Sequence, residues 1–250
     1  MAPGLVATRD VALADWIAPR MRPWGVGLGT PVASVVPGGF AAYARVLHPV
    51  HDDGDTWLTW ADACRESGAT PHALMQWTAI TPQRLVNRSS PGQGSIAPAT
   101  LGFLAEHLPR TGGVTHAYWI GWGDFNGGSI RFGWNEDGST WSEEVPAVPE
   151  FVDPAFPLFR LPAREYVLFR GPLDADLGPL GTREVHDPSP SLLWPDDHSW
   201  CLATEVDFDS TLVGASAEVI DAILADPRLE AWPVEPGDDL SIAGDRVNGS

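Results

Sequence analysis

The chain has 250 residues, 44% of them hydrophobic, with 12 tryptophans and a formal net charge of −18. A chain of this length and apolar content can bury a core, which excludes disorder as a description of the whole. A body this negative repels phosphate backbones and anionic bilayers, which sets nucleic acid and membrane aside as partners. All 15 basic residues are arginine, so a Schiff base, a pyridoxal phosphate anchor and a Walker-type phosphate lysine are also excluded.

In chain order, the first periodic segment predicts an amphipathic helix from about Val11 to Ile17. Pro31 to Val36 and Phe40 to Leu47 read as strands of a hairpin closed by Pro37-Gly38-Gly39. Thr56 reads as an N-cap, because Trp57, Trp60, Ala61 and Cys64 then recur at helical spacing until Gly68 stops the run. Thr70-Pro71 places a cap before proline at the first helical position and predicts a short helix through Trp77. Pro98 opens a further helix with Leu101, Leu104 and Leu108 on one face, ended by Pro109. His116 to Trp122 and Glu165 to Phe169 read as strands. The segments 86–98 and 123–160, rich in Gly, Pro, Asn and Ser, read as long loops, the second with a ribbon around Ile130 to Trp141.

The clearest strand pattern runs from Trp200 to Phe208, with Trp200, Leu202, Thr204, Val206 and Phe208 alternating against Cys201, Ala203, Glu205 and Asp207. Period two with one apolar set predicts one face on the core and one in water. A last helix from about Ser216 to Ala225 buries Val219, Ile220, Ile223 and Leu224. Helices and strands mixed without a βαβ rhythm predict an α+β fold. The expected architecture is a single domain over 1–240, a mostly antiparallel sheet packed by several helices, with a flexible polar tail over 241–250. The N-terminal segment carries Arg9, Asp10, Asp15 and Arg20 and no signal-type apolar core. Cys64 and Cys201 make no disulfide framework, so a cytoplasmic protein with buried, reduced thiols is expected.

Several constellations could carry chemistry. His48, His51 and Asp52 lie in one short loop, and imidazoles beside carboxylates can bind a divalent metal, although the same residues suit a solvated acidic loop. Asp197 and His198, between Trp194 and Trp200, could act as an acid–base pair or form an ordinary Pro-Asp-Asp turn. Glu205 and Asp207 share a strand face, with Asp209 just beyond, and become catalytic candidates only if that face lines a cleft. Arg164 and Arg170 also share a face, flanked by Arg160 and Arg183, and could hold an anion, or pair with the abundant carboxylates. Trp119 and Trp122, beside glycines, could stack on a ligand or cap the core. Gly25 to Pro31 lacks the helix start that a phosphate loop requires.

Tyr43 to Pro49, Arg160 to Asp174 and Leu193 to Gly214 together resemble a group of uncharacterised actinobacterial proteins of similar length. That resemblance implies no activity and no site residue. Three functional expectations remain. The first is a non-catalytic binding or interaction protein, whose acidity suits a basic protein partner. The second is a small metal-assisted hydrolase using the histidines and aspartates above. The third is a pocket for a small anionic molecule held by Arg164 or Arg170 among Trp119, Trp122 and Trp194. No cofactor is identified by the sequence.

Overall fold

A computed structural model describes residues 4–23, 29–51, 57–86, 89–122, 125, 129–135, 137–145, 151, 153–173 and 189–249. In chain order the strands are β1 (Val6–Thr8), β2 (Ala42–Leu47), β3 (Val50–His51), β4 (Trp57–Leu58), β5 (Val114–Trp119), β6 (Ser129–Trp134), β7 (Thr140–Val145), β8 (Phe159–Leu161), β9 (Arg164–Gly171), β10 (Leu192–Pro195), β11 (Cys201–Ala203), β12 (Ser210–Ala215) and β13 (Ala231–Pro233). The α-helices are α1 (Trp60–Ser67), α2 (Trp77–Ile80), α3 (Pro98–His107) and α4 (Ala217–Ala225). Nine strands form one sheet in the order β1-β9-β5-β10-β11-β12-β2-β13, with β8 also on β9. Every described pairing is antiparallel. The fold is therefore the expected α+β arrangement, an antiparallel sheet packed by helices. Among the described residues no helix is long and apolar enough to cross a membrane.

Both faces of the sheet are covered. Tyr43, Ala117, Tyr166, Leu168, Leu192, Trp194, Ala203 and Leu212 point to one face, beneath Ile17, Val32, Val35 and Val36 of the N-terminal segment. Ala44, Val46, Leu193, Leu202 and Val213 point to the other, beneath Leu104 of α3 and Ile220 and Ile223 of α4. Over β5 and β9 that second face is continued by Tyr118, Val167 and Phe169 against Phe125, Phe151 and Phe156. A third cluster joins Leu47 and Val50 to Trp60, Cys64 and Met75.

Covering both faces shortens the strand expected over Trp200 to Phe208. β11 keeps only Cys201–Ala203, and all three residues are buried. Carboxylates cannot remain in a strand enclosed on both sides, so the chain leaves the sheet after Thr204 and turns at Glu205, whose carbonyl accepts from Phe208 N at 3.0 Å. It returns as β12. Glu205 and Asp207 thus belong to a turn, not to a wet strand face.

Other expectations change in the same way. Of the helix expected over Val11 to Ile17 only Val11–Ala14 forms, as a 3-10 turn, and a second 3-10 turn, Ala18–Arg20, follows it with Pro19, which cannot donate to an α-helical ladder. The hairpin of 31–47 does not form. Val32–Ser34 is a 3-10 turn, Val32, Val35 and Val36 drop onto the sheet, and β2 pairs with β12 and β13. Thr56 lies outside the described residues. The helix cap is Thr59, which exchanges bonds with Asp62 in a capping box, and Trp57 belongs to β4. Gly68 ends α1 with φ 80°, as its type suggests. Across the fold, the Glu230 carboxylate accepts from Trp60 N and Ala61 N at 2.6 and 2.7 Å and closes the remaining donors of that helix start.

No helix forms over 71–76, because its carbonyls and amides are spent on tertiary bonds, and α2 begins at Trp77, where the local pattern predicts an end. The tail beyond 240 is not free. Asp245 is only 4% exposed and its carboxylate binds His72 Nε2 at 2.9 Å and Gln76 N at 3.1 Å. α3, α4 with its Ser216 cap, β9 and the β6–β7 ribbon lie where local pattern places them.

Candidate functional site

The richest polar cluster grows from β9. Extended backbone sets Arg164 and Tyr166 on one face, and Ala163, with φ 61° in the left-handed region, makes the tight turn from β8. The turn after β11 brings Glu205 opposite. Arg164 Nε and Nη2 both reach Glu205 Oε1, at 3.0 and 2.6 Å, and Nη2 reaches Asp207 Oδ2 at 2.8 Å. The guanidinium also lies 5.5 Å from the Trp119 ring centre. In sequence these four residues fall in three separate constellations, and the fold joins them.

Beside this cluster is a cleft of about 260 Å³. Its walls are apolar: Ala18, Met21 and Pro23 of the N-terminal segment, Val35, Leu161-Pro162, Leu192 and Ala203. Its polar groups are Arg22, Ser34, Arg164, Tyr166, Ser191 and Glu205. Ser34 Oγ is occupied by the Pro31 carbonyl at 2.6 Å. Ser191 is different: the residue is 4% exposed and its Oγ has no hydrogen-bond partner among the described residues. An unsatisfied buried hydroxyl costs about 1–3 kcal/mol. Tyr166 is also buried, and no described residue bonds its hydroxyl. Burial first, then the Glu205 charge, pushes its pKa well above the ordinary phenol value, so the hydroxyl keeps its proton.

Arg170 sits six residues along the same face from Arg164, a span of roughly 20 Å in a strand. The two cannot hold one small anion. Arg170 Nη1 bonds Thr115 Oγ1 at 2.7 Å and Nη2 pairs with Asp196 at 2.6 Å. Near it, Trp194 is buried and packs edge-on to Trp16, and Trp16 stacks on the His198 ring at 4.4 Å. Burial and then the Arg20 charge lower the His198 pKa. Asp197 makes no hydrogen bond to His198, although its charge acts on that ring. It accepts from Thr111 Oγ1 at 2.6 Å and Ser199 N at 3.0 Å, and although burial opposes it, these bonds hold its carboxyl below the usual range. Trp122 packs edge-on to Trp119 at 5.7 Å, its indole nitrogen buried and unpartnered among the described residues.

Of the expected metal ligands, His48 alone has a described side chain. His48 is buried with both ring nitrogens engaged: Nδ1 donates to the Gly92 carbonyl at 2.7 Å, leaving Nε2 to accept from Thr211 Oγ1 at 2.9 Å. Burial lowers its pKa and keeps it neutral. The His51 backbone forms β3. Asp52, Arg183 and residues 25–28 lie outside the described residues. Among the described residues no group of three or more His, Cys, Asp or Glu side chains is placed to hold a metal ion.

Ser191, Tyr166 and Trp16 are not among the candidates that the sequence offers. Tyr166 was within reach, since period two from Arg164 puts it on the same face. Ser191 sits in a Ser-Pro run that carries no signal of its own. Comparison with known proteins found no matching family model, no matching curated protein and no matching solved structure.

Proposed function

We propose that the protein is a non-catalytic binding protein whose ligand is a small molecule held in the cleft between its N-terminal turns and β9. The observation that carries this reading is the cleft itself, whose apolar walls close around a few polar groups, Arg22, Arg164, Tyr166 and Glu205. Small-molecule sites combine apolar walls with a few convergent polar groups in this way. The candidate acid–base groups support binding over catalysis, because Asp197, Glu205 and Arg164 are each engaged by other protein groups. The test is a thermal melt with a panel of small neutral and charged organic molecules, then with chelator and divalent metals. Molecules that fit the cleft are expected to raise the midpoint, since they bind only the folded state, and chelator and metals to leave it unchanged. A rise with one metal, lost in His48→Ala and His198→Ala, overturns the reading in favour of a metal-assisted hydrolase.

A second reading, contact with a basic protein, is supported by the ribbon. Ile130, Phe132 and Trp134 alternate on one face of β6 and are 65%, 72% and 71% exposed. Glu143 and Glu144 on β7 add negative charge. On a sensor surface carrying a lysine- and leucine-rich peptide, the wild type is expected to bind more tightly than Phe132→Ser/Trp134→Ser at equal ionic strength. Equal binding assigns the attraction to net charge alone and rules this face out as the contact.

A further inference from the structure

If the cleft is the binding site, as proposed above, the way its charges are paired narrows the ligand. Arg22, Arg164 and Glu205 line it, and Asp207 stands behind Arg164, so the charges balance. They are not paired one to one. Arg164 is opposed by both Glu205 and Asp207, which leaves one negative charge in surplus on the turn after β11. Both contacts of Arg164 with Glu205 fall on Oε1. Glu205 Oε2 accepts no bond from a described residue and is not sealed from the surface. On the N-terminal segment, Arg22 is exposed, and its guanidinium makes no hydrogen bond or ion pair with a described residue. One positive charge is therefore unopposed at the rim. A simple anion meets Arg22 but is repelled by the surplus carboxylate, and a simple cation meets the carboxylate but is repelled by Arg22. A molecule carrying both charges is attracted at both. The Tyr166 hydroxyl, which keeps its proton, is a further donor for a carboxylate. Size follows from volume: an apolar cavity of about 150 Å³ holds one benzene, so about 260 Å³ holds roughly ten non-hydrogen atoms.

We propose that the cleft binds a free α-amino acid with an apolar side chain of the size of leucine, its carboxylate on Arg22, its ammonium on Glu205 and its side chain against Met21, Val35 and Leu192. The apolar walls take the side chain, and the two unmatched charges of the protein take the two charges of the backbone. The Glu205 side chain is only 10% exposed, so its attraction for an ammonium is weakly screened. The exposed, unbonded Arg22 is free to turn over the opening and close on the carboxylate with its planar fork.

The experiment is a calorimetric titration of the full chain with L-leucine and three probes that each lack one of its parts: 4-methylpentanoate without the ammonium, isopentylamine without the carboxylate, and glycine without the side chain. Leucine is expected to bind roughly tenfold more tightly than either one-charged analogue, the worth of a charge-assisted hydrogen bond, and glycine to bind more weakly than all three. Arg22→Gln, at an exposed side chain that bonds no described residue, should weaken leucine and 4-methylpentanoate by roughly tenfold and leave isopentylamine no weaker. Glu205→Gln, which keeps an oxygen for Arg164, should weaken leucine and isopentylamine and tighten 4-methylpentanoate. Ala18→Trp, made at an exposed position on the rim, should abolish binding of every probe. If either one-charged analogue binds as tightly as leucine, or Arg22→Gln leaves leucine unchanged, the amino acid is overturned while the cleft stands. If leucine does not bind, the amino acid is likewise overturned, and a hit from the melting panel that Ala18→Trp abolishes keeps the cleft. If Ala18→Trp leaves the binding of leucine or of such a hit intact, the cleft itself is overturned as the site.

Discussion

Replacing Arg45 with alanine is expected to destabilise the fold by about 3–5 kcal/mol, as breaking a buried charged network does. Arg45 stands on β2, 2% exposed, and its guanidinium is shared among four acceptors from two distant parts of the chain. Nε bonds Ser210 Oγ at 3.0 Å, Nη1 bonds the Ala73 and Met75 carbonyls at 3.0 Å each, and Nη2 pairs with Asp209 at 3.4 Å. Alanine leaves these acceptors unsatisfied and opens a cavity above Trp60. For a chain of this length the melting midpoint should fall by roughly 6–20 °C. Lysine should recover only part of the loss, because an ammonium cannot present the planar fork that spans these acceptors. Urea denaturation of wild type, Arg45→Ala and Arg45→Lys checks this. A loss below about 1 kcal/mol for alanine would show that water satisfies the 73–75 carbonyls without cost.

The second large effect is a loss of stability in mild acid, traced to His116. This residue lies fully buried on β5, where Nε2 donates to the Pro172 carbonyl at 3.0 Å and Nδ1 has no partner among the described residues. Burial, joined by repulsion from Arg170, lowers its pKa to about 4. In the unfolded chain the imidazole titrates near its ordinary value of about 6.5. Between those two values the unfolded state therefore holds the extra proton, so stability rises with pH. The contribution is complete above pH about 6.5 and is lost as pH falls through about 4, amounting to about 3 kcal/mol across the window. His48, buried and neutral, adds in the same direction. In His116→Leu, stability measured from about pH 7 to 4 should fall less steeply than in the wild type, and the two profiles should run parallel above about pH 7. Parallel profiles across the whole range would place the acid sensitivity elsewhere.

Local pattern alone determined the class of this fold and several of its parts. The serine cap and apolar spacing of α4, the proline start of α3, the glycine that ends α1 and the alternation along β6 and β9 are all settled within a few residues of each other, and such short-range preferences survive whatever packs on them. Period two along β9 likewise put Arg164 and Arg170 on one face. Tertiary structure decided what period cannot express. Alternation from Trp200 to Phe208 signals one buried face, but the sheet is covered on both, so the carboxylates were turned out of the strand and onto Arg164, 41 residues away from Glu205 in sequence. Val32 to Val36 is as apolar as a strand, yet it closes a layer over the sheet because β2 already has partners on both edges. The cleft exists only because the N-terminal turns, β9 and β11 converge around it. Its shape and the polar groups that meet in it are properties of that convergence, and no run of neighbouring residues encodes them.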